Sequence, residues 1–285
     1  MNKEELEFIE SRSRSFSQLW PVASDYIIKD GYVISLGDTD SSRYLPMARP
    51  ELPGQFAKLS GGTEEDVLDF VRLYGLPGYN RAFRFPLEVI SAHELRLYDD
   101  KAPGDPLSWV FAHADAVNLV LQLADALNTP HKLETIIGRL LVEEEGSVRL
   151  SYKAPYRGQA LPGRVTTVFD TYEAAAHRII TLILNSNLEG VSKEIIYEYQ
   201  DDGKIGPTAL FQFQNLLDCI YWLAAEAVVG KKVRTCGFCG KAFIAPNERT
   251  VYCPPLLWES VSRCMNNAKQ RRFRERQRQK AMHKY

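Results

Sequence analysis

Four of the five cysteines in this 285-residue chain fall within 29 residues, at the spacing C-x2-C-x13-C-x10-C. They are Cys236, Cys239, Cys253 and Cys264. No other feature constrains the fold as much, because the segment around them is short and has little apolar content to bury. In a C-x2-C pair the backbone turns sharply so that both sulfurs face one point, and Gly237 and Gly240 relieve that turn. Zinc in a structural site takes four soft ligands in a tetrahedron, so the four thiolates are the expected metal ligands and Zn2+ the expected cofactor. A disulfide framework is the weaker reading. The N-terminal stretch MNKEELEFIESRSRSF is charged and amphipathic rather than a secretory signal. Cytoplasmic residence is then the expectation, and cytosolic thiols stay reduced.

Between the second and third cysteines, Phe243 and Ile244 read as a short strand and Pro246-Asn247 as a turn. Thr250-Val251-Tyr252 reads as the returning strand, and Cys264 stands where a helical pattern begins. Knuckle, hairpin and a ligand in the first turn of a helix make the layout of a treble-clef finger. The stretches CGFCGKAFIAPNERTVYC and RCMNNAKQRRFRER resemble the C-terminal zinc finger of bacterial CGNR-type proteins. These are regulators of transcription with an N-terminal α/β domain. After the last ligand that family has Cys-Gly-Asn-Arg; this chain has Cys264-Met265-Asn266-Asn267. Asn266 therefore matches, Gly and Arg are replaced, and the resemblance covers about 45 residues. It implies DNA binding.

Charge is divided unevenly along the chain. Positions 231–285 hold 14 Lys+Arg against 3 Asp+Glu, a net +11, while the first 230 hold 21 against 33, a net −12. Such asymmetry marks a polyanion-binding end. On a helix starting at Cys264, Lys269, Arg272, Arg276 and Lys280 form one stripe and Arg271, Arg274 and Arg278 another, with Cys264, Ala268 and Glu275 between them. Few apolar residues remain, so the helix is expected to project rather than pack in a core. Like charges at i,i+4 destabilise it when alone. The seven cations from Lys269 to Lys280 are the expected nucleic-acid contacts, since the planar Arg fork suits phosphate oxygens and guanine edges. The tail itself does not separate RNA from DNA; it is the resemblance that puts DNA ahead. The alternative is a protein-interaction adaptor whose finger and tail dock an acidic partner.

The remaining chain reads as α+β: a helix-rich N-terminal domain with short antiparallel strands (1–230), followed by a small treble-clef-like finger with a projecting basic helix (231–285). Expected helices cover Lys3 to Trp20, Thr63 to Tyr74, Trp109 to Leu127, His131 to Leu141, Thr171 to Leu188 and Pro207 to Val229. Expected strands include the 25–36 hairpin, Ser147 to Tyr152 and Arg164 to Phe169. Glu194 to Tyr199 reads as a strand or a helix extension, and Phe85 to Tyr98 as a strand, or a strand and then a turn. Ser41 to Gly62, rich in Pro, Gly and Ser, reads as loop. No apolar run reaches the ~18 residues that span a bilayer, so no membrane partner is expected.

No catalytic constellation is found, and the chain is read as a non-enzyme. Ser60-Gly61-Gly62-Thr63 lacks the Lys and glycine spacing of a phosphate loop. His113 and Asp115 lie two apart on a helix and face different ways. Cys219, in an apolar helical pattern, reads as a small buried hydrophobe. Tyr74, Tyr79, Phe83, Phe85, Tyr98, Trp109 and Phe111 read as core, with a small-molecule effector pocket as the sharper alternative. Sensing and homo-oligomerisation are the roles left to the N-terminal domain.

Overall fold

The structure is a computed structural model. It describes residues 19–36, 42–78, 104–127, 130–144, 147–154, 163–167, 171–188, 191–199, 205–213, 215–247, 249–255 and 260–282. The expected N-terminal helix up to residue 18, the 85–98 strand and Tyr79 lie outside them.

Among the described residues the fold is α+β, with seven α-helices and short, wholly antiparallel sheets. Strand β1 (Trp20–Val22) pairs with β4 (Ser42–Tyr44). The 25–36 hairpin forms as β2 (Asp25–Lys29) and β3 (Tyr32–Leu36), turning at Asp30-Gly31, both with positive φ. A two-residue strand, β5 (Asp105–Pro106), adds to β3. Strands β6 (Leu141–Glu144), β7 (Ser147–Ala154) and β8 (Gly163–Thr167) make a second three-stranded sheet.

The region read as loop holds more structure than expected: a 3-10 turn at Pro46–Ala48 and helix α1 (Leu52–Ala57). Pro53 lies in the first turn of α1, where its missing N–H costs nothing, and Leu52 and Phe56 are wholly buried. Helix α2 (Glu64–Tyr74) starts as its sequence foretold. Thr63 Oγ1 accepts from the Asp66 amide, and Asp66 Oδ2 accepts from the Thr63 amide at 2.7 Å. Those bonds from Thr63 hold the Asp66 carboxyl below its ordinary range. Gly75 ends α2 at φ +78, where an added Cβ would stand 2.6 Å from the Pro21 carbonyl.

Helix α3 (Leu107–Ala126) is the centre of the molecule. It packs against α1, α4 (Pro130–Gly138), α5 (Tyr172–Asn187) and α6 (Leu216–Val229). It has the length and mean hydropathy of a membrane span, but Trp109, Val110, Val117, Val120 and Leu121 have no exposed surface, as in a core helix. His113 is also fully buried, with Nδ1 2.8 Å from the Tyr221 hydroxyl and its ring edge-on to Trp109, whereas Asp115 is exposed. Cys219 is buried against Met47, as its apolar setting suggested.

The expected helix over 207–229 begins too early. Residues 205–213 form strand β10 (Ile205–Phe213), paired along its length with β9 (Val191–Tyr199). Phe211 and Phe213 pack on Trp222 of α6, with ring centroids 4.7 and 6.5 Å away. Asn215 then caps α6 by accepting from the Asp218 amide at 2.8 Å.

The last two strands belong to this same core. In β11 (Val233–Thr235) and β12 (Ala242–Ile244), residues Val233, Ala242 and Ile244 are part of the main apolar cluster and lie against α1 and α3. Ile244→Ala is therefore expected to lower the stability of the whole main core by about 2–5 kcal/mol. Urea unfolding followed by far-ultraviolet circular dichroism checks this. An unchanged main transition would mean that the hairpin folds apart from the core.

Candidate metal centre

Strand β12 is buried on both sides. Side chains alternate across a strand, so Ala242 and Ile244 face the main core while Phe243 faces the other way. Phe243 joins Cys236, Ala245 and Cys253 in a second small cluster, with Tyr252 and Cys264 against it. One three-residue strand is thus a wall shared by the core and the cysteine site. Further ties hold the hairpin in place. Thr235 Oγ1 hydrogen-bonds the Asp125 carboxylate at the end of α3. Lys241 Nζ donates to the Lys58 carbonyl just after α1, at 3.2 Å.

The expected pairing of this hairpin is corrected. The partner of β12 is β11, which precedes the first cysteine; Thr250-Val251-Tyr252 is not a strand. The knuckle is the turn of the β11–β12 hairpin. Its closure runs through backbone bonds: the Cys236 amide donates to the Lys241 carbonyl at 2.9 Å and the Gly240 amide to the Cys236 carbonyl at 3.0 Å. Gly240 adopts φ +71, the left-handed conformation glycine tolerates. The third cysteine is delivered by an irregular segment. The Gly237 amide donates to the Val251 carbonyl at 2.9 Å, and Asn247 Oδ1 accepts from the Arg249 amide and the Thr250 hydroxyl, both at 3.1 Å. The fourth comes from the first turn of helix α7 (Arg263–Met282), as expected. Ser262 caps that helix, its Oγ accepting from the Met265 amide at 3.2 Å.

All four sulfurs lie within 4.8 Å of one another, and Cys239 Sγ and Cys253 Sγ are 3.6 Å apart. A tetrahedron with 2.3 Å metal–sulfur bonds places its sulfurs about 3.8 Å apart. The donor set and its spacing therefore fit one thiophilic divalent ion. The chemistry such an ion supplies is structural: four protein ligands leave no position for substrate.

Electrostatics at the site pull in different directions. Burial pushes the Cys236 thiol up, but the amides of Cys239, Phe238 and Cys253 donate to its sulfur and together hold it at about 7. Burial pushes Cys264 up to about 11, helped by the charges of Cys239 and Cys236. Cys253 is pushed higher still by burial, against the relief from Lys58 and with the charges of Cys239, Cys236 and Cys264 adding to the rise. Four thiolates at these distances repel one another strongly. A divalent cation among them reverses the sign of that interaction.

The seven expected nucleic-acid residues all lie on α7. Each residue from 269 to 279 is exposed, while Cys264 is half-buried and Ala268 buried. Lys280 is on the helix, but its side chain lies outside the described residues. Two cations have partners of their own: Arg271 pairs with Glu275 at 3.1 Å, and Arg272 donates to the Tyr252 hydroxyl. Tyr252 is a site residue that sequence reasoning missed, because nothing in the spacing ties it to the tail. An open cleft of about 910 Å³ lies between α2 and the cysteine site, bordered by Lys58, Asp66, Arg72, Lys241 and Arg263.

No family model, no curated protein and no solved structure matches this chain.

The full chain is expected to carry one equivalent of divalent metal, and Cys239→Ser to carry far less. Cys239 is exposed, so its replacement leaves packing intact. Hydrogen exchange should show protection lost over 249–282, while the transition of the main core moves by less than about 1 kcal/mol. Metal content and exchange unchanged in the variant would contradict the assigned ligand set.

Proposed function

We propose that the chain is a zinc-finger nucleic-acid-binding protein, a DNA-binding regulator of transcription in the cytoplasm of a bacterial cell. The observation that carries this reading is the mounting of α7. A cysteine in its first turn ties it to a four-sulfur site, that site shares a strand with the main core, and the rest of the helix stands exposed. The helix carries eight Lys+Arg and a single acid. A helix that repels itself and is nonetheless fixed to a rigid body suits a polyanionic partner, whose phosphates remove the repulsion.

Zinc is the metal of choice for four thiolates in a closed site, and its binding supplies on the order of 10 kcal/mol in small fingers. The similarity of the cysteine pattern and Asn266 to the CGNR-type finger supports the same reading. The large domain then dimerises or senses a small effector. The cleft between α2 and the finger, reached by Tyr74, is the place where an effector would touch both parts.

The test is the salt dependence of binding to duplex DNA, read by fluorescence anisotropy on the zinc-loaded chain. Arg271 and Arg272 have partners; the phosphate contacts are assigned to Lys269, Arg274, Arg276 and Arg278, with Lys280 of the same helix as the fifth. Five contacts give a log–log slope of about −4.5, and each Lys/Arg→Ala change among them should lower its magnitude by about 0.9. Chelating the metal should abolish binding. Affinity for duplex DNA that is indifferent to salt and to these substitutions would contradict the proposal.

A further inference from the structure

Contacts along α7 fix its rotation about its own axis. Cys264 turns its sulfur into the four-cysteine cluster, Ala268 is buried one turn later, and Arg272 reaches the Tyr252 hydroxyl one turn after that. With Glu275, these residues recur at the three- and four-residue intervals of a single helical face, and that face is turned to the finger. At about 100° per residue, the face roughly 180° away is Asn266, Gln270, Phe273 and Gln277. All four are exposed, Phe273 by 63%. Cations flank this strip on either side, Lys269 and Arg276 on one flank and Arg274 and Arg278 on the other. In a helix otherwise crowded with charge, the outermost line is uncharged and consists of three amides and an aromatic ring.

Solvation alone gives no reason for that line. A large apolar ring held in water on a charged helix contributes nothing to the fold, and amides offer no relief of repulsion. Read as a contact surface, each residue type has a use. An amide of Asn or Gln makes a two-point contact with N6 and N7 of adenine, and a Phe ring packs on the thymine methyl group. The major groove, about 12 Å wide, admits a helix about 10–12 Å across, and phosphates line both of its walls. An uncharged centre between two cationic flanks matches that cross-section in both charge and width. The deep, narrow groove of double-stranded RNA does not admit it.

We infer that α7 is a recognition helix, and that Asn266, Gln270, Phe273 and Gln277 read base edges in the major groove of duplex DNA with a preference for A·T pairs. This rests on the nucleic-acid reading of the basic helix and extends it from attachment to sequence discrimination. Gln270 and Phe273 lie at the middle of the line and are its main readers.

The experiment is a selection by the zinc-loaded full-length chain on a random duplex library, followed by anisotropy on the enriched duplex and on a scrambled duplex of equal composition. The expected enriched site contains A·T pairs. Gln270→Ala should weaken binding to it by about 5- to 150-fold while changing affinity for the scrambled duplex by less than about twofold. Phe273→Ala should likewise lose discrimination rather than attachment, with helix content by circular dichroism unchanged in both. Salt-dependent binding to every duplex without an enriched site would overturn the inference and leave the nucleic-acid reading standing. So would an enriched site that neither variant affects, or equal losses on both duplexes. Absence of any DNA binding by the zinc-loaded chain would remove the nucleic-acid reading itself, and the inference with it.

Discussion

Four sulfurs lie within 4.8 Å of one another, an arrangement that is repulsive for thiolates unless a cation sits among them. Everything beyond the second strand of the knuckle depends on that arrangement. Among the described residues of 246–247 and 249–255 there is no strand pairing, and α7 has only its first turns against the protein. Few apolar groups are present to replace the metal: Phe243, Ala245 and the half-buried Tyr252 are most of what surrounds the sulfurs. Burial, which raises the thiols of Cys253 and Cys264, makes the metal-free cluster prefer protonated sulfur, and metal binding must displace those protons.

The division of labour between core and metal falls along β12. Its Ala242 and Ile244 side is held by ordinary apolar burial against α1 and α3, and its Phe243 side is held by the sulfur site. Main-core packing therefore positions Cys236 and Cys239, while a metal bound there would gather Cys253 and Cys264 onto them. A basic helix attached in this way has a defined direction relative to the body of the protein. That matters for any partner with a groove, since a tail on a flexible tether can neutralise phosphates but cannot set a register.

Much of this was legible in the sequence because some signals are local. The ligand spacing, the Thr63-to-Asp66 cap, the glycine after α2 and the hairpin turn at Asp30-Gly31 each depend on a few adjacent residues. What escaped depends on partners far along the chain. Strand β10 runs straight into the apolar sequence of α6, and only its pairing with β9 separates the two. Helix α1 is hidden by Pro53 and Gly54, which its buried Leu52 and Phe56 override. Thr250 to Tyr252 has strand-like residues, but β11 already pairs with β12 at the knuckle. The amide and aromatic line on α7 was present in the sequence too. It gained meaning only when Ala268 and the Arg272–Tyr252 contact showed which face points away.

Whether one ion is held by all four cysteines is read by X-ray absorption at the zinc edge on the purified full-length chain. Four sulfur neighbours at about 2.3 Å, with no nitrogen or oxygen in the inner shell, are the expected result. A spectrum dominated by oxygen or nitrogen, or a chain that takes up no zinc at all, would contradict the account from its foundation upward.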